Sequence, residues 1–265
     1  MGKTNELRSD IAWSNAEKIG VHGYDLTEEL MGKVNLGDMA FLVLSARLPD
    51  ANESRMLNAI LVTLVEHGIV PSTLAARMTY AGAPEAMQAA VAAGLLGLGS
   101  VFVGSTEGSA RMLSAAFEQA KPTDTIDEMA RLIVAEHRGA KRIVPGLGHP
   151  IHKPVDPRTL RLFAIAKETG FHGRYVALIE QIAHEAEKAT GKSLPVNATG
   201  AIGAICCEMG FGWRVASGLG VMARAVGLVG HVLEEAKQPM AIELWNRAEH
   251  ESTAHMVGKF RDNKD

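Results

Sequence analysis

Residues 144–158, VPGLGHPIHKPVDPR, set two histidines among four prolines and two glycines and end in an arginine. Proline restricts φ and glycine permits positive φ, so this composition predicts an irregular, ordered loop in place of a helix or strand. Ordered loops often hold functional groups. An imidazole, whose ordinary pKa is about 6.5, donates or accepts a proton near neutrality. His149 is therefore the first candidate for a catalytic residue.

The other reactive side chains form weaker patterns. His149 and His152 have a ligand-like spacing, but a proline lies between them and the sequence contains no HExxH or CxxC motif, so no metal site is predicted. The adjacent Cys206 and Cys207 are predicted to be buried, inert thiols. His67, in the segment LVEHGIVPST, fits a helix-capping or solvated residue as well as a functional one.

The surrounding sequence has the periodicity of helices. Within residues 126–134 apolar side chains recur at helical spacing, and Thr125 with Glu128 forms a capping-box pattern before them. Residues 177–186 repeat the pattern, and Pro71 fits the first turn of another helix. No run of alternating polar and apolar residues indicates a strand. The sequence predicts an all-α fold.

Composition and charge restrict the classes of partner that the protein is expected to bind. The net charge of −3 and the pI of about 6.4 show no basic excess for nucleic acid or an anionic membrane. The first ten residues lack an apolar core of a secretory signal, and two adjacent cysteines make a poor disulfide framework. We therefore expect a cytoplasmic protein with no nucleic-acid or membrane partner.

Two apolar stretches resemble membrane spans at first sight. Residues 86–106 carry no charge and residues 215–233 carry only Arg224. Both are rich in alanine and glycine, which favours buried helices that approach one another closely. The glycines at 94, 97, 99 and 104 do not match GxGxxG and are predicted to be packing glycines.

Five segments together resemble the citrate synthase superfamily, and within it the citryl-CoA lyases. These are EHGIVPST (66–73), GSVFVGSTEG (99–108), PGLGHPIHKPVDPR (145–158), LPVNATGAIGA (194–204) and GVMARAVGLVGHVLEE (220–235). The resemblance implies a citrate synthase-like helical fold in which a small domain closes over a large one. By this resemblance residues 1–140 and 215–265 form the large domain and residues 141–214 the small domain.

The resemblance also implies roles for individual residues. His67 is expected to bind the thioester oxygen where enolate charge develops, and His149 the keto or alkoxide oxygen. Arg158 and Arg224 match arginines that bind substrate carboxylates. The substrate-loop motif contributes Phe102. The synthases usually have histidine at this position, whereas the lyases have phenylalanine. Coenzyme A is expected at Pro145, Gly146, Leu147, Gly148 and Lys153.

Two departures from the family pattern lie at the substrate end of the site. The aspartate that moves the proton at the enolate carbon is replaced by Thr199, whose hydroxyl does not titrate near neutrality. The arginine usually found after the late helix is missing, since Lys237 and Arg247 are out of register. The missing proton carrier has three hypothetical replacements. They are a carboxylate of the substrate, a water molecule held by Thr199, and the carboxylate of Glu107.

The leading prediction is a CoA-dependent carbon–carbon lyase that cleaves citryl-CoA or a related 3-hydroxyacyl-CoA to acetyl-CoA and a keto acid. A citrate synthase-type condensing enzyme, a thioester hydrolase and a non-catalytic acyl-CoA-binding subunit remain alternatives. The expected ligands are an acyl-CoA and a keto or hydroxy acid, with the CoA thioester as substrate, no permanently bound cofactor and no metal. A homodimer or homotetramer is expected because the family builds its sites near a subunit interface.

Overall fold

The computed structural model describes residues 7–99, 104–149 and 152–258. Three short strands come first, β1 (Ala12–Ser14), β2 (Ile19–Val21) and β3 (Tyr24–Asp25). The helices that follow are α1 (Leu36–Ser45), α2 (Ala51–Val65), α3 (Pro71–Gly82), α4 (Met87–Leu96), α5 (Gly104–Gln119), α6 (Ile126–Gly139), α7 (Pro157–Thr169), α8 (Arg174–Thr190), α9 (Ala198–Glu208), α10 (Trp213–Lys237) and α11 (Ala241–Thr253). Short helical turns cover Leu26–Leu30 and Ala254–Met256. The predicted all-α fold is confirmed.

The three strands form a small antiparallel sheet in the order β1-β2-β3. Ala12 lies opposite Val21, and Gly20 lies opposite Asp25. The sequence did not indicate these strands, because none exceeds three residues and alternation is not recognisable over so short a run.

Helix starts follow the signals in the sequence. The hydroxyl of Thr125 accepts the N–H of Glu128 at 3.2 Å and the Glu128 carboxylate accepts the N–H of Thr125 at 3.0 Å, so the predicted capping box of α6 is confirmed. Pro71 is the first residue of α3, and α8 contains the predicted 177–186 segment. One expectation was wrong: residues 157 and 158, predicted as loop, begin α7 because the carboxylate of Asp156 caps that helix.

The chain divides into two compact units. The first unit comprises residues 1–63 and 103–220, and the second comprises residues 64–102 and 221–265. The predicted boundaries, after residues 140 and 214, fall at different places along the chain. The assignment of a large and a small domain stays a prediction.

The core of the first unit is built around α9. Residues 200–207 of this helix are all buried, and α5, α7 and α8 pack against it. At Gly203 an added Cβ would lie 2.9 Å from the backbone nitrogen of Ala110, so the helices approach too closely for a side chain there. Cys206 and Cys207 are buried free thiols, as predicted, and burial raises the pKa of both.

The core of the second unit lies between α3, α4 and the C-terminal part of α10. Ala76, Ala90, Leu228 and Val232 form its buried cluster. Gly94 permits this packing, since a Cβ there would lie 2.7 Å from a Leu228 methyl carbon. This contact confirms the interpretation of Gly94 as a packing glycine.

Helix α10 is, among the described residues, the helix whose length and composition would allow it to cross a bilayer. Core helices of water-soluble domains meet the same criterion, and α10 carries the buried charged residues Arg224 and Glu235. The other apolar stretch, 86–106, is helical over residues 87–96 and again from Gly104, and neither helical part is an apolar run of spanning length.

Candidate active site

The histidine loop, residues 145–149, lies against the N-terminus of α9. Gly146 and Gly148 have φ values of +85° and +71°, which favour glycine. Leu147 pairs with Val196 in a single antiparallel bridge. The N–H of Gly148 donates to the carbonyl of Pro195 at 2.8 Å, and the carbonyl of Gly146 accepts the N–H of Asn197 at 3.0 Å. These bonds hold the loop beside α9.

Asn197 joins the loop to the helix. Its Oδ1 accepts the N–H of Gly200 at 3.0 Å and so caps α9, while its Nδ2 donates to the carbonyl of Gly148 at 2.6 Å. Gly146 and Gly200 are in close backbone contact, since a Cβ on Gly200 would lie 2.3 Å from the Gly146 carbonyl oxygen. The position of His149 therefore depends on the start of α9.

One ring nitrogen of His149 accepts a hydrogen bond from within the first unit. Its Nδ1 accepts the N–H of His152 at 3.0 Å. An accepting Nδ1 carries no proton, so the neutral ring carries its proton on Nε2. The His152 ring lies alongside, with the ring centroids 4.4 Å apart. In this tautomer Nε2 of His149 is a hydrogen-bond donor.

Thr199 is the second residue of α9, and its hydroxyl is hydrogen-bonded on both sides. It donates to Oδ1 of Asn197 at 2.7 Å and accepts from the hydroxyl of Ser105 at 2.7 Å. A hydroxyl has a single proton to donate. The side chain thus braces the cap of α9 and the start of α5.

Arg158 is held by the carboxylate of Asp156. Its Nε donates to Oδ1 at 3.0 Å and its Nη2 to Oδ2 at 2.8 Å, while Asp156 also accepts the N–H of Ala198 at 3.1 Å. Burial raises the pKa of Asp156, but the bonds from Arg158 and Ala198 outweigh it, so the pKa lies below its ordinary value. A guanidinium has five N–H donors, and Nη1 and the second Nη2 proton of Arg158 bind no acceptor among the described residues, so they are suited to another carboxylate.

The second unit carries His67 and Arg224, and Glu66 lies between them. Oε1 of Glu66 accepts the N–H of His67 at 2.8 Å and that of Gly68 at 2.6 Å. The same oxygen lies 3.7 Å from Nη1 of Arg224, and Oε2 lies 3.0 Å from Nε2 of His231. Burial raises the pKa of Glu66, but His231 and the two backbone N–H groups outweigh it and lower the pKa overall.

Arg224 is a buried cation with unmet hydrogen-bonding capacity. Its side chain is 10% exposed, and Nε and Nη1 have no hydrogen-bond acceptor among the described residues. Burial lowers its pKa, and the charge of Glu66 opposes that effect. Buried donors without acceptors are costly, so an anionic group at this guanidinium would be stabilised.

The remaining predicted residues are less tightly placed. Phe102 lies outside the described residues. Lys153 is exposed, and Pro145 packs near Gly108, where a Cβ would lie 3.2 Å from its side chain. Glu107 is half-buried and forms no hydrogen bond or ion pair with the described residues. It lies about 200° around α5 from Ser105, on another face of that helix.

Several site residues escaped the sequence analysis. Asp156 and Asn197 each precede a helix, and a capping residue beside a candidate motif was a usable signal for both. Ser105, Glu66 and His231 gave no such signal, because their roles depend on contacts with distant parts of the chain. The structure groups residues 146–149, Arg158 and Thr199 in the first unit, and His67 with Arg224 in the second.

Comparisons with known proteins identify the family of the chain. A family model described as citrate synthase, C-terminal domain, matches residues 34–244. A citryl-CoA lyase from Hydrogenobacter thermophilus is 35% identical with a TM-score of 0.79, over 88% of this chain and 88% of that one. An ATP citrate lyase from Methanothrix soehngenii, solved with citrate and coenzyme A, shares the fold at 20% identity and a TM-score of 0.73, over 89% of this chain and 40% of that one.

Curated relatives are longer proteins. A probable ATP-citrate synthase subunit 1 of Neurospora crassa is 23% identical over 86% of this chain, and a probable ATP-citrate synthase of Caenorhabditis elegans is 25% identical over 89%. The chain spans 35% and 22% of their respective lengths. The family model covers most of the chain, and the similarity to the Hydrogenobacter thermophilus lyase covers 88% of both chains. The chain belongs to the citrate synthase family of enzymes.

Proposed function

We propose that this enzyme is a CoA-dependent carbon–carbon lyase that cleaves citryl-CoA, or a related 3-hydroxyacyl-CoA, to acetyl-CoA and a keto acid. The observation that carries the proposal is the 35% identity to a citryl-CoA lyase across 88% of both chains. The TM-score of 0.79 over this length indicates a shared fold. CoA is then a substrate, and the reaction needs no permanently bound cofactor.

The proposed cleavage breaks the bond between the α-carbon of the thioester and the carbon that bears the hydroxyl. The hydroxyl loses its proton, its oxygen becomes a keto oxygen, and the bonding electrons form a thioester enolate. His149 supports this step because its Nε2–H donates to the oxygen while that oxygen is an alkoxide. His67 is assigned to the thioester oxygen, where the enolate charge appears. Removal of one such donor typically slows turnover about 10²–10³-fold.

The two arginines are assigned to substrate carboxylates. Arg158 is held rigid by Asp156 yet keeps N–H groups for a second carboxylate. Arg224 offers the buried Nε and Nη1 donors that the described residues leave unsatisfied. Planar guanidinium groups bind carboxylates through paired hydrogen bonds, and this geometry suits a substrate with several acid groups.

Coenzyme A is assigned to the histidine loop through Leu147. The N–H of Gly148 and the carbonyls of Gly146 and Gly148 are already bonded within the first unit. In the bridge to Val196 these bonds flank Leu147, so its own N–H and carbonyl face away from that partner. Exposed Lys153 supplies a positive charge for a CoA phosphate.

The enolate must take up one proton at its α-carbon, and we propose that Thr199 is not the group that delivers it. Its proton is committed to Asn197. The hydroxyl proton released in cleavage balances this uptake, so a substrate carboxylate or a water that carries it across is sufficient. Glu107 remains the protein group assigned to this transfer by the sequence analysis.

A non-catalytic acyl-CoA-binding subunit is the second candidate. The bonding of Thr199 favours it, because the position of the family's acid–base residue holds a brace for α9. The retained donor at His149 and the unsatisfied N–H groups of Arg224 favour the enzyme. A condensing enzyme would use the same groups in the reverse direction.

A homo-oligomer is proposed from one face of α10. Met222, Val226, Val229 and Leu233 recur at helical spacing in the second unit and are 36–54% exposed. An apolar helix face of this kind is typical of a surface that packs against a copy of itself. Light scattering of the protein and of a Val226→Glu variant tests the assignment, because a charge in this face is expected to release monomers.

The function is tested by mixing the purified protein with citryl-CoA and measuring acetyl-CoA and oxaloacetate by mass spectrometry. His149→Ala is the matched negative control, and Thr199→Asp is measured in parallel. Cleavage by the wild type that is lost in His149→Ala supports the lyase. Cleavage only by Thr199→Asp would indicate a different natural acyl-CoA, and binding of acyl-CoA without turnover by either protein would favour the binding subunit.

A further inference from the structure

A chain of charged and polar groups runs through the second unit, from the buried Arg77 to the exposed Glu66, the residue before His67. It begins at Arg77, whose side chain is 1% exposed. Nη1 of Arg77 donates to Oε2 of Glu235 at 2.9 Å. Oε1 of Glu235 in turn accepts the N–H groups of Met240 and Ala241 at 2.9 Å, which ties Arg77 to the start of α11. Arg77 is therefore fixed in place.

His231 is the next group in this chain, and Arg77 determines its tautomer. Nη2 of Arg77 lies 2.9 Å from Nδ1 of His231 and also bonds to Glu234. A guanidinium is a donor only, so Nδ1 must accept and the neutral ring carries its proton on Nε2. That nitrogen lies 3.0 Å from Oε2 of Glu66, a close polar contact that does not have the geometry of a hydrogen bond. The ring is oriented with a donor toward Glu66.

Glu66 is the last group before the candidate catalytic residue. One of its oxygens faces His231, and the other accepts the backbone N–H groups of His67 and Gly68. Gly68 has a φ of +74°, so the backbone turns sharply at this point. Gly227 brings α10 within contact of the turn, since a Cβ there would lie 2.1 Å from the carbonyl oxygen of Val65. Glu66 thus accepts two backbone N–H groups of the His67 turn.

We propose that His231 and Glu66 are positioning residues that hold the His67 turn, with Arg77 fixing the orientation of His231. The inference deepens the proposed lyase function and rests on it for the role of His67. Glu66 also lies beside Arg224 and balances its charge. One carboxylate therefore aligns the backbone that carries His67 and compensates the arginine assigned to a substrate carboxylate.

If the network had a purely structural role, substitutions in it would have different effects on stability and activity. Buried ion pairs seldom stabilise a fold more than apolar side chains of similar volume, because desolvation offsets the attraction. Removal of any one member of a structural network would lower stability, whichever hydrogen bond was lost. Arg77 acts on Glu66 only through the His231 ring, so a positioning role predicts that loss of the contact with Glu66 affects His67 more than loss of the contact with Arg77.

Two substitutions at His231 separate the contact with Glu66 from the hydrogen bond with Arg77. The amide nitrogen of Gln is as many bonds from Cβ as Nε2, so His231→Gln retains a donor toward Glu66. The amide oxygen of Asn corresponds to Nδ1, so His231→Asn retains the acceptor for Arg77 and removes the donor toward Glu66. His250→Asn, at an exposed position of α11, is the control for a histidine substitution in the same unit.

Turnover of citryl-CoA is the first measurement. We expect His231→Asn to lower kcat about 10- to 100-fold with little change in KM, because a displacement of about 1 Å at a catalytic group has an effect of that size. His231→Gln is expected to retain at least about ten times the kcat of His231→Asn. Equal losses in both variants, in step with their thermal stability, would overturn the proposal.

Hydrogen exchange provides a readout that does not depend on the reaction. The amides of His67 and Gly68 are expected to exchange about tenfold faster in His231→Asn than in the wild type, with unchanged exchange in α8 as an internal reference. The same amides are expected to remain protected in His231→Gln. If the wild type fails to cleave citryl-CoA, the proposed function fails, while this comparison still decides whether His231 positions the turn. Unchanged exchange in His231→Asn would overturn the positioning role.

Discussion

At Gly200 the addition of a single methyl group should lower activity far more than it lowers stability. An added Cβ would lie 2.3 Å from the carbonyl oxygen of Gly146, whereas a carbon and a carbonyl oxygen normally approach to about 3.3 Å. Gly200→Ala must therefore move the histidine loop about 1 Å away from α9. Because both sides of this contact are backbone, a change of side-chain rotamer cannot relieve it.

The expected loss of stability in Gly200→Ala is small, and the expected loss of activity is large. Overpacking destabilises by about 1–3 kcal/mol, and replacing a helical glycine by alanine returns about 1 kcal/mol. The free energy of unfolding should therefore fall by no more than about 2 kcal/mol, which lowers Tm by less than about 8 °C in a protein of this size. A displacement of about 1 Å at His149 should lower kcat/KM about 100-fold.

Gly218 offers a matched control within the same unit. It is also helical, and an added Cβ there meets no atom within 4 Å. Gly218→Ala should leave kcat/KM unchanged and raise the free energy of unfolding by up to about 1 kcal/mol. Citryl-CoA turnover and thermal denaturation of both variants test the reasoning. Full turnover in Gly200→Ala, or a loss of turnover no larger than its loss of stability, would refute it.

Two substitutions and one labelling experiment test other parts of the first unit. Thr199→Val should lower the free energy of unfolding by about 1 kcal/mol and keep kcat/KM within about threefold of wild type. A roughly 100-fold loss of turnover would instead identify Thr199 as the proton carrier. The pKa of Asp156 is lower in the folded state, so its carboxylate stabilises the fold above its ordinary pKa of 3.8, and this contribution disappears as the pH falls through the folded pKa. Urea denaturation from about pH 6 to about pH 3 should therefore show a flatter acid limb for Asp156→Asn, and an identical slope would contradict the assignment. Cys206 and Cys207 should react with a thiol reagent only after unfolding, because both are buried with raised pKa values, and rapid labelling of the native protein would show that the thiols are accessible.

Local patterns in the sequence were sufficient for α3, α6 and α8 and for the ordered loop that carries His149. The capping box at Thr125, the proline at the start of α3 and the helical spacing in α6 and α8 are short-range features, and each appears in the structure as expected. The proline- and glycine-rich composition around His149 indicated an ordered loop for the same reason. The short strands β1–β3 were missed because two or three residues do not display a period.

The tertiary structure decided what these residues are able to do. Thr199 is a brace and not a free hydroxyl because Ser105 of α5 donates to it, in addition to its local bond to Asn197 at the cap of α9. The donor nitrogen of His231 faces Glu66 because Arg77, more than 150 positions earlier, occupies the other nitrogen. Sequence identifies which groups are present, but their hydrogen-bond partners come from packing between segments far apart in the chain. Those partners determine whether each group donates, accepts or is already satisfied.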